Sequence, residues 1–281
     1  MILDMHEAVP WHQSASGLWL HGEESPPPRP QALDLFAGAG GFSLGMEDGG
    51  LDVVAAAEWD RHAAATYLLN LGRPDVVVVA DSEAKAERLR AISGTNEARH
   101  GPGSCRWFWA RDIHGLTGDI VREAVGEIAV LFGSPPCQGM SRARGKVRND
   151  DPRNDMTFEF ARLVEELLPA VFVMENVPQL LTIRGGALYA AFEERLAAAG
   201  YTVCANVVDA CDYGVPQHRT RAIVTGSLGE RPLAMPMPTH WPRIRRPNGT
   251  SSYIRDERVP GPGGGRGDNG AARAPQMKLG I

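Results

Sequence analysis

Three shortages narrow the reading of this chain: little cysteine, no excess of positive charge, and no long apolar run. Four cysteines occur in 281 residues, Cys105, Cys137, Cys204 and Cys211. None forms a C-x-x-C pair, so the spacing indicates neither a zinc site nor a disulfide framework, and no metal is expected. Lys and Arg number 29 against 34 Asp and Glu, a formal charge of −5. No overall basic field announces nucleic acid, so any such contact has to come from a local cluster. No run is long and apolar enough for a membrane span and no secretory leader is visible, which predicts no membrane partner and a reduced, cytoplasmic setting. What is present is a hydrophobic content of 43%, enough to bury the core of one α/β domain.

Punctuation divides the chain. Residues 1–30 lack periodicity and end in Ser25-Pro26-Pro27-Pro28-Arg29-Pro30, a stiff linker, so they read as an N-terminal extension. Residues 31–228 alternate short apolar strands with helical stretches, the pattern of a doubly wound, mostly parallel Rossmann-like sheet. Residues 229–281 are rich in Pro and Gly and read as an irregular tail.

Within the domain, Ala32 to Phe36 is a short strand running into Gly38-Ala39-Gly40-Gly41 and then a helix. Asp52 to Ala57 is a second strand, ending at Glu58. Such glycines let backbone approach a ligand at a helix N-terminus, and a carboxylate closing the second strand accepts hydrogen bonds from a ribose diol. The loop is G-x-G-G rather than G-x-G-x-x-G, which favours an adenosine cofactor without a pyrophosphate. Cys105-Arg106-Trp107-Phe108-Trp109 reads as a strand whose aromatics pack the sheet, followed by Asp112, and Thr117 caps a helix from Gly118 to Val125.

An apolar run from Ile128 to Phe132 then delivers Gly133-Ser134-Pro135-Pro136-Cys137-Gln138-Gly139-Met140-Ser141. The two prolines hold Cys137 on a stiff, non-helical turn. A thiol there is either a nucleophile or buried filler. Arg142, Arg144, Lys146 and Arg148 follow in a loop with almost no apolar content, either a solvated segment or a lid closing on phosphate. The strand Ala170 to Met174 hands over to Glu175-Asn176-Val177-Pro178, and a final strand, Ala222 to Thr225, is entered through Gln217-His218-Arg219-Thr220-Arg221. Alternation places Gln217, Arg219 and Arg221 on one side and His218 on the other. Open α/β sheets bind ligands at the C-terminal edge of their strands, so the Gly loop, Glu58, Cys137 and Glu175 are expected in one crevice.

These blocks, in this order, resemble the cytosine-C5 DNA methyltransferase family over roughly residues 32–226. Asp34-Leu35-Phe36-Ala37-Gly38-Ala39-Gly40-Gly41 is similar to its cofactor loop, and Glu58-Trp59-Asp60 to its ribose-binding acid and neighbouring aromatic. Residues 133–141 resemble its nucleophile motif, with Met140 where Phe is usual. Glu175-Asn176-Val177 resembles its glutamate motif, and Gln217 to Arg221 its Q-x-R-x-R motif.

The resemblance implies a class I S-adenosylmethionine-dependent fold and a DNA (cytosine-5)-methyltransferase. Cys137, Glu175, Arg219 and Arg221 are then the catalytic set. Phe36, Gly38, Gly40, Gly41, Glu58, Trp59, Asp112, Ile113 and Pro136 face S-adenosylmethionine; Asp119 and Asp81 are alternatives to Asp112 for the adenine amine. Gln138, Ser141, Arg142, Arg144 and Gln217 face DNA. A restriction–modification or phage system is the implied setting, in the cytoplasm and on the nucleoid. The family continues past the Q-x-R-x-R strand with a target-recognition region and a terminal Gly-Asn motif. Neither is found among residues 241–281, which implies a truncated, frameshifted or split member whose partner polypeptide supplies them. The other readings are a fragment that binds cofactor or DNA without turnover, and an RNA cytosine-5 methyltransferase.

Overall fold

The computed structural model describes residues 29–96, 103–136 and 156–240, together with the backbone of 11–13, 19–21, 243–245 and 251–253. Eight strands form one sheet: β1 (Gln31–Leu35), β2 (Asp52–Ala57), β3 (Gly72–Ala80), β4 (Cys105–Ala110), β5 (Val130–Gly133), β6 (Val171–Asn176), β7 (Tyr201–Asp209) and β8 (Thr220–Leu228). Their order is β3-β4-β2-β1-β5-β6-β8-β7. All pairings are parallel except those of β8, which runs antiparallel between β6 and β7.

Helices cover both faces, as the doubly wound pattern requires. α1 (Gly41–Asp48), α2 (Arg61–Leu71) and α3 (Glu83–Ile92) pack on one face. α4 (Gly118–Val125), α5 (Met156–Leu167) and α6 (Ala187–Ala198) pack on the other. On that second side Phe172 meets Phe160, Phe192 and Tyr201 edge-on, at ring centroid distances of 6.1, 6.2 and 5.3 Å. Each such aromatic pair adds about 0.5–1.5 kcal/mol beyond area burial. Gly226 makes room for this cluster, because a Cβ there would run into the Phe172 ring.

Local chemistry sets the helix starts. Ser82 and Thr117 accept from the amides of Lys85 and Ile120, and Asp60 accepts from His62 and Ala63. Phe108 and Trp109 are buried in the sheet, the packing role expected of the aromatic strand.

Several elements differ from the sequence expectation. β6 runs through Glu175 and Asn176, which were expected just beyond it; β8 pairs Ala222 with Asn176 and Ile223 with Glu175 and so extends the strand. β8 itself spans nine residues rather than four, because β7 and β6 hold it on both sides. Inside the presumed extension, Trp11–Gln13 pairs antiparallel with Trp19–His21, and inside the presumed irregular tail Arg243–Arg245 pairs with Ser251–Tyr253. Among the described residues no helix is long and apolar enough to cross a membrane.

Candidate active site

The site lies where β1, β2, β4, β5 and β6 end. Each parallel strand stops at the same edge, so the residues following them converge. Phe36, at the exit of β1, takes φ 58°, a left-handed conformation that costs a bulky side chain energy and marks a built feature. The chain then turns through Gly38 at φ 57° and Gly40 at φ 92° into α1.

Glu58 fixes this turn from the neighbouring strand. Its Oε2 accepts from the Gly38 amide at 2.8 Å and its Oε1 from the Asp60 amide at 2.7 Å. A carboxylate held in this way by two amides retains lone pairs for a diol. Beside it Trp59 is 67% exposed, an aromatic surface that core packing does not explain. Phe36, Glu58, Trp59, Asp112, Ile113 and Pro136 all line one cavity of about 1270 Å³. That volume takes a nucleoside-sized ligand with room to spare.

Asp112 stands at its rim because α5 braces the loop after β4. Arg162 donates from Nη2 to the carbonyls of Leu116 at 2.9 Å and Ile113 at 3.4 Å, and Glu166 accepts from the Gly118 amide at 2.7 Å. The amide and ring of His114 hydrogen-bond the Asp112 carboxylate and hold its pKa below the ordinary range. Of the alternatives, Asp119 is exposed on α4 and paired with Arg122, while Asp81 is paired with Lys85; neither is among the residues that line this cavity.

The three glycines of the loop do different work. A Cβ on Gly38 or Gly41 would meet nothing within 4 Å, so backbone there stands open. A Cβ on Gly40 would collide with Leu71 and lie 3.0 Å from Tyr67. The missing side chain at Gly40 thus lets α2 approach the loop. Beneath the loop Asp34 is fully buried and accepts from the Ser43 hydroxyl at 2.6 Å, and Ser43 also meets the Tyr67 hydroxyl at 2.9 Å. Burial pushes the Asp34 carboxyl up to about 8. Sequence reading passed over this network, although an Asp inside an apolar strand was the signal.

At the other end of the edge, Arg221 Nε forms an ion pair with Glu175 Oε1 at 2.7 Å, and Arg219 Nη2 lies 3.7 Å from the same oxygen. The antiparallel register puts Ile223 opposite Glu175, so the start of β8 arrives where β6 ends. Gln217 is exposed before the strand begins, and its backbone N–H donates to the Val215 carbonyl at 2.7 Å. Between this ion pair and the cavity lies the proline turn. Asn176, 4% exposed, donates from Nδ2 to the Pro135 carbonyl at 3.1 Å. The Ser134 amide continues the parallel pairing to the Leu35 carbonyl at 3.2 Å. From sequence Asn176 was read only as part of the Glu175-Asn176-Val177 motif; its bond to the Pro135 carbonyl gives it a role of its own. Cys137, Gln138, Ser141, Arg142 and Arg144 lie outside the described residues.

Similarity to known proteins gives the family. The family model for C-5 cytosine-specific DNA methylase matches residues 31–93 and 109–257. Type II methyltransferase M.AgeI of Thalassovita gelatinovora is 34% identical over 212 residues, 75% of this chain but 42% of its own length. Type II methyltransferase M.AquIA of Picosynechococcus is 32% identical over 222 residues, 75% of this chain and 77% of its own. The chain spans less than half the length of M.AgeI and of M1.HphI of Haemophilus parahaemolyticus. The crystal structure of a candidate DNA modification methyltransferase encoded within an E. coli prophage superposes with a TM-score of 0.53 at 28% identity, over 71% of this chain and 47% of that one. The S. pombe Dnmt2 methyltransferase shares the fold, with a TM-score of 0.50 at 17% identity over 73% and 51% of the two chains. With three quarters of its length matched, this chain belongs to the C-5 cytosine-specific DNA methylase family.

Proposed function

We propose that the chain carries the catalytic part of a DNA (cytosine-5)-methyltransferase that uses S-adenosylmethionine. One observation carries the reading. Pro136 lines the cavity of Glu58 and Asp112, while the adjoining Pro135 is tied to Asn176, next to the Arg221-paired Glu175. The turn that leads into Cys137 thus stands between a nucleoside-sized cavity and a carboxylate–guanidinium pair. Those are the two sides a methyl donor and a cytosine need.

S-adenosylmethionine supplies an electrophilic methyl group. In this reading Glu58 binds its ribose, Phe36 and Trp59 flank its adenine, Asp112 takes the adenine amine, and the open backbone at Gly38 and Gly41 admits the rest. The Cys137 thiolate adds to C6 of the cytosine, opening the C5–C6 double bond and raising electron density at C5. Glu175 meets the developing charge at N3 and Arg221 holds O2, with Arg219 behind it. C5 would then take the methyl group, with S-adenosylhomocysteine as the leaving group, and loss of the C5 proton to solvent would expel the Cys137 thiolate and restore the ring. A thiol cannot reach C6 inside a duplex, so the base is flipped out. Gln138, Ser141, Arg142, Arg144 and Gln217 are assigned to the DNA that this leaves behind.

The relatives' names support a restriction–modification or phage setting, and with it the cytoplasm and nucleoid. The 77% coverage of M.AquIA indicates a relative nearly as short as this chain. We propose in addition that a second polypeptide completes the cleft and presents the target sequence.

The test is covalent trapping on 5-fluorocytosine DNA with S-adenosylmethionine, using the chain together with any partner it needs. An adduct at Cys137, absent in Cys137→Ser, supports the mechanism. An adduct that survives Cys137→Ser overturns it. Transfer of labelled methyl by the chain alone overturns the need for a second polypeptide.

A further inference from the structure

The connection between β7 and β8 gathers three metal-ligating side chains that the mechanism does not use. Asp209 closes β7, Cys211 sits in the 3-10 turn Ala210–Tyr213, and His218 precedes β8. Cys211 Sγ lies 3.4 Å from His218 Nδ1, and His218 Nδ1 lies 3.1 Å from Asp209 Oδ2. One ligand atom from each residue falls within 4.8 Å of the other two.

Tetrahedral zinc sets ligand–ligand edges of about 3.6 Å between sulfur and nitrogen and about 3.3 Å between nitrogen and oxygen, given its usual bond lengths. Both observed separations sit about 0.2 Å inside those edges, and the third pair, Cys211 and Asp209, lies within 4.8 Å. The donor set is one thiol, one imidazole and one carboxylate, which suits zinc and disfavours magnesium or calcium. Further contacts fix the frame. Asp209 Oδ1 accepts from the amides of Arg219 at 3.0 Å and Cys211 at 3.3 Å, which turns Oδ2 toward His218, and Asp212 Oδ1 lies 3.8 Å from the thiol. Cys211 is buried and His218 is 62% exposed on its side chain, so three ligands come from the protein and the fourth position opens to water.

We propose that Asp209, Cys211 and His218 form a binding site for one thiophilic divalent cation of the zinc class. The C-x-x-C criterion misses it, because the ligands are spaced by one and six residues and meet only through the turn. The cation staples that turn to the segment entering β8. It acts on Arg219 and Arg221 through the backbone and touches no reacting atom. The site stands whether or not the methyl-transfer reading holds.

The experiment is titration of the full chain with Co²⁺ under reducing, anaerobic conditions, followed by displacement with Zn²⁺. The expected result is a thiolate-to-cobalt charge-transfer band that saturates at one equivalent and disappears when Zn²⁺ is added. The band persists in Cys137→Ser, is lost in Cys211→Ser, and needs at least tenfold more metal in His218→Ala. Circular dichroism checks that each variant is folded; His218→Ala, at an exposed position, keeps the test valid if Cys211→Ser is not. Absence of a band in the full chain overturns the proposal, as does a band that depends on Cys137 or an affinity unchanged in His218→Ala.

Discussion

The Asn176 side chain donates to the Pro135 carbonyl at 3.1 Å while its own Oδ1 accepts from the Val177 amide at 2.8 Å. One buried amide therefore couples the strand bearing Glu175 to the proline turn that precedes Cys137 in sequence. Replacing Asn176 with Ala leaves a buried carbonyl unpaired, which costs about 1–3 kcal/mol. The expected outcome is lower stability in urea and slower adduct formation on 5-fluorocytosine DNA, with unchanged affinity for S-adenosylhomocysteine. An unchanged adduct rate would mean that the turn is held by other contacts.

Asp34 predicts a pH dependence of stability. Its carboxyl titrates near 8 in the fold against 3.8 as the reference value, with burial the main cause. Between these values the folded chain keeps a proton that the unfolded chain has released. Raising the pH through this window therefore favours unfolding, by at most about 1.4 kcal/mol per pH unit. Below it both states are protonated and the contribution is whole; above about 8 it is spent. Urea unfolding across pH 4–9 should show this decline, and Asp34→Asn should flatten it.

The loop glycines separate by substitution. Gly40→Ala meets a left-handed backbone and a collision with α2, together worth about 2–4 kcal/mol of destabilisation. Gly41→Ala enters open space and a helix start, so its stability should stay level or rise slightly. Calorimetric binding of S-adenosylhomocysteine should weaken in Gly41→Ala. A stable Gly40→Ala would show that α2 can retreat.

Cofactor affinity distinguishes the acids. Glu58→Ala removes the acceptor of the Gly38 and Asp60 amides together with the assigned ribose contact, and binding of S-adenosylhomocysteine should fall about 10- to 100-fold, the range of a lost charged hydrogen bond. Asp112→Ala should weaken binding by a smaller factor. Asp119→Ala, exposed on α4, should leave it unchanged. Equal losses at Asp112 and Asp119 would displace the adenine from the assigned rim.

Much of this site was legible because it is local. Glu58 ends a strand whose bounds, Asp52 to Ala57, follow from its apolar run, and the capping residues Ser82 and Thr117 announce their helices. The parts that were not legible depend on partners distant in sequence. Glu175 and Asn176 belong to β6 only because β8, more than forty residues later, pairs with them. Gly226 stood just past the expected final strand, Ala222 to Thr225, yet it is the gap into which Phe172 fits. Gly40 reads like its neighbours until Leu71 and Tyr67 are placed behind it. The Arg221–Glu175 pair follows from antiparallel register, which no local alternation reveals.

The position of β8 also has a consequence for synthesis. β7 is made before β8 but cannot seat on β6, since the strand that separates them does not yet exist. While residues 201–219 emerge, β6 presents an unpaired edge, and Glu175 lacks the guanidinium that later neutralises it. Unpaired edges on nascent sheets invite association with other chains. The last strand of this sheet is thus a wedge whose insertion joins β7 to the other six strands, and aggregation should be most acute in nascent chains from which residues 201–219 have emerged and residues 220–228 have not.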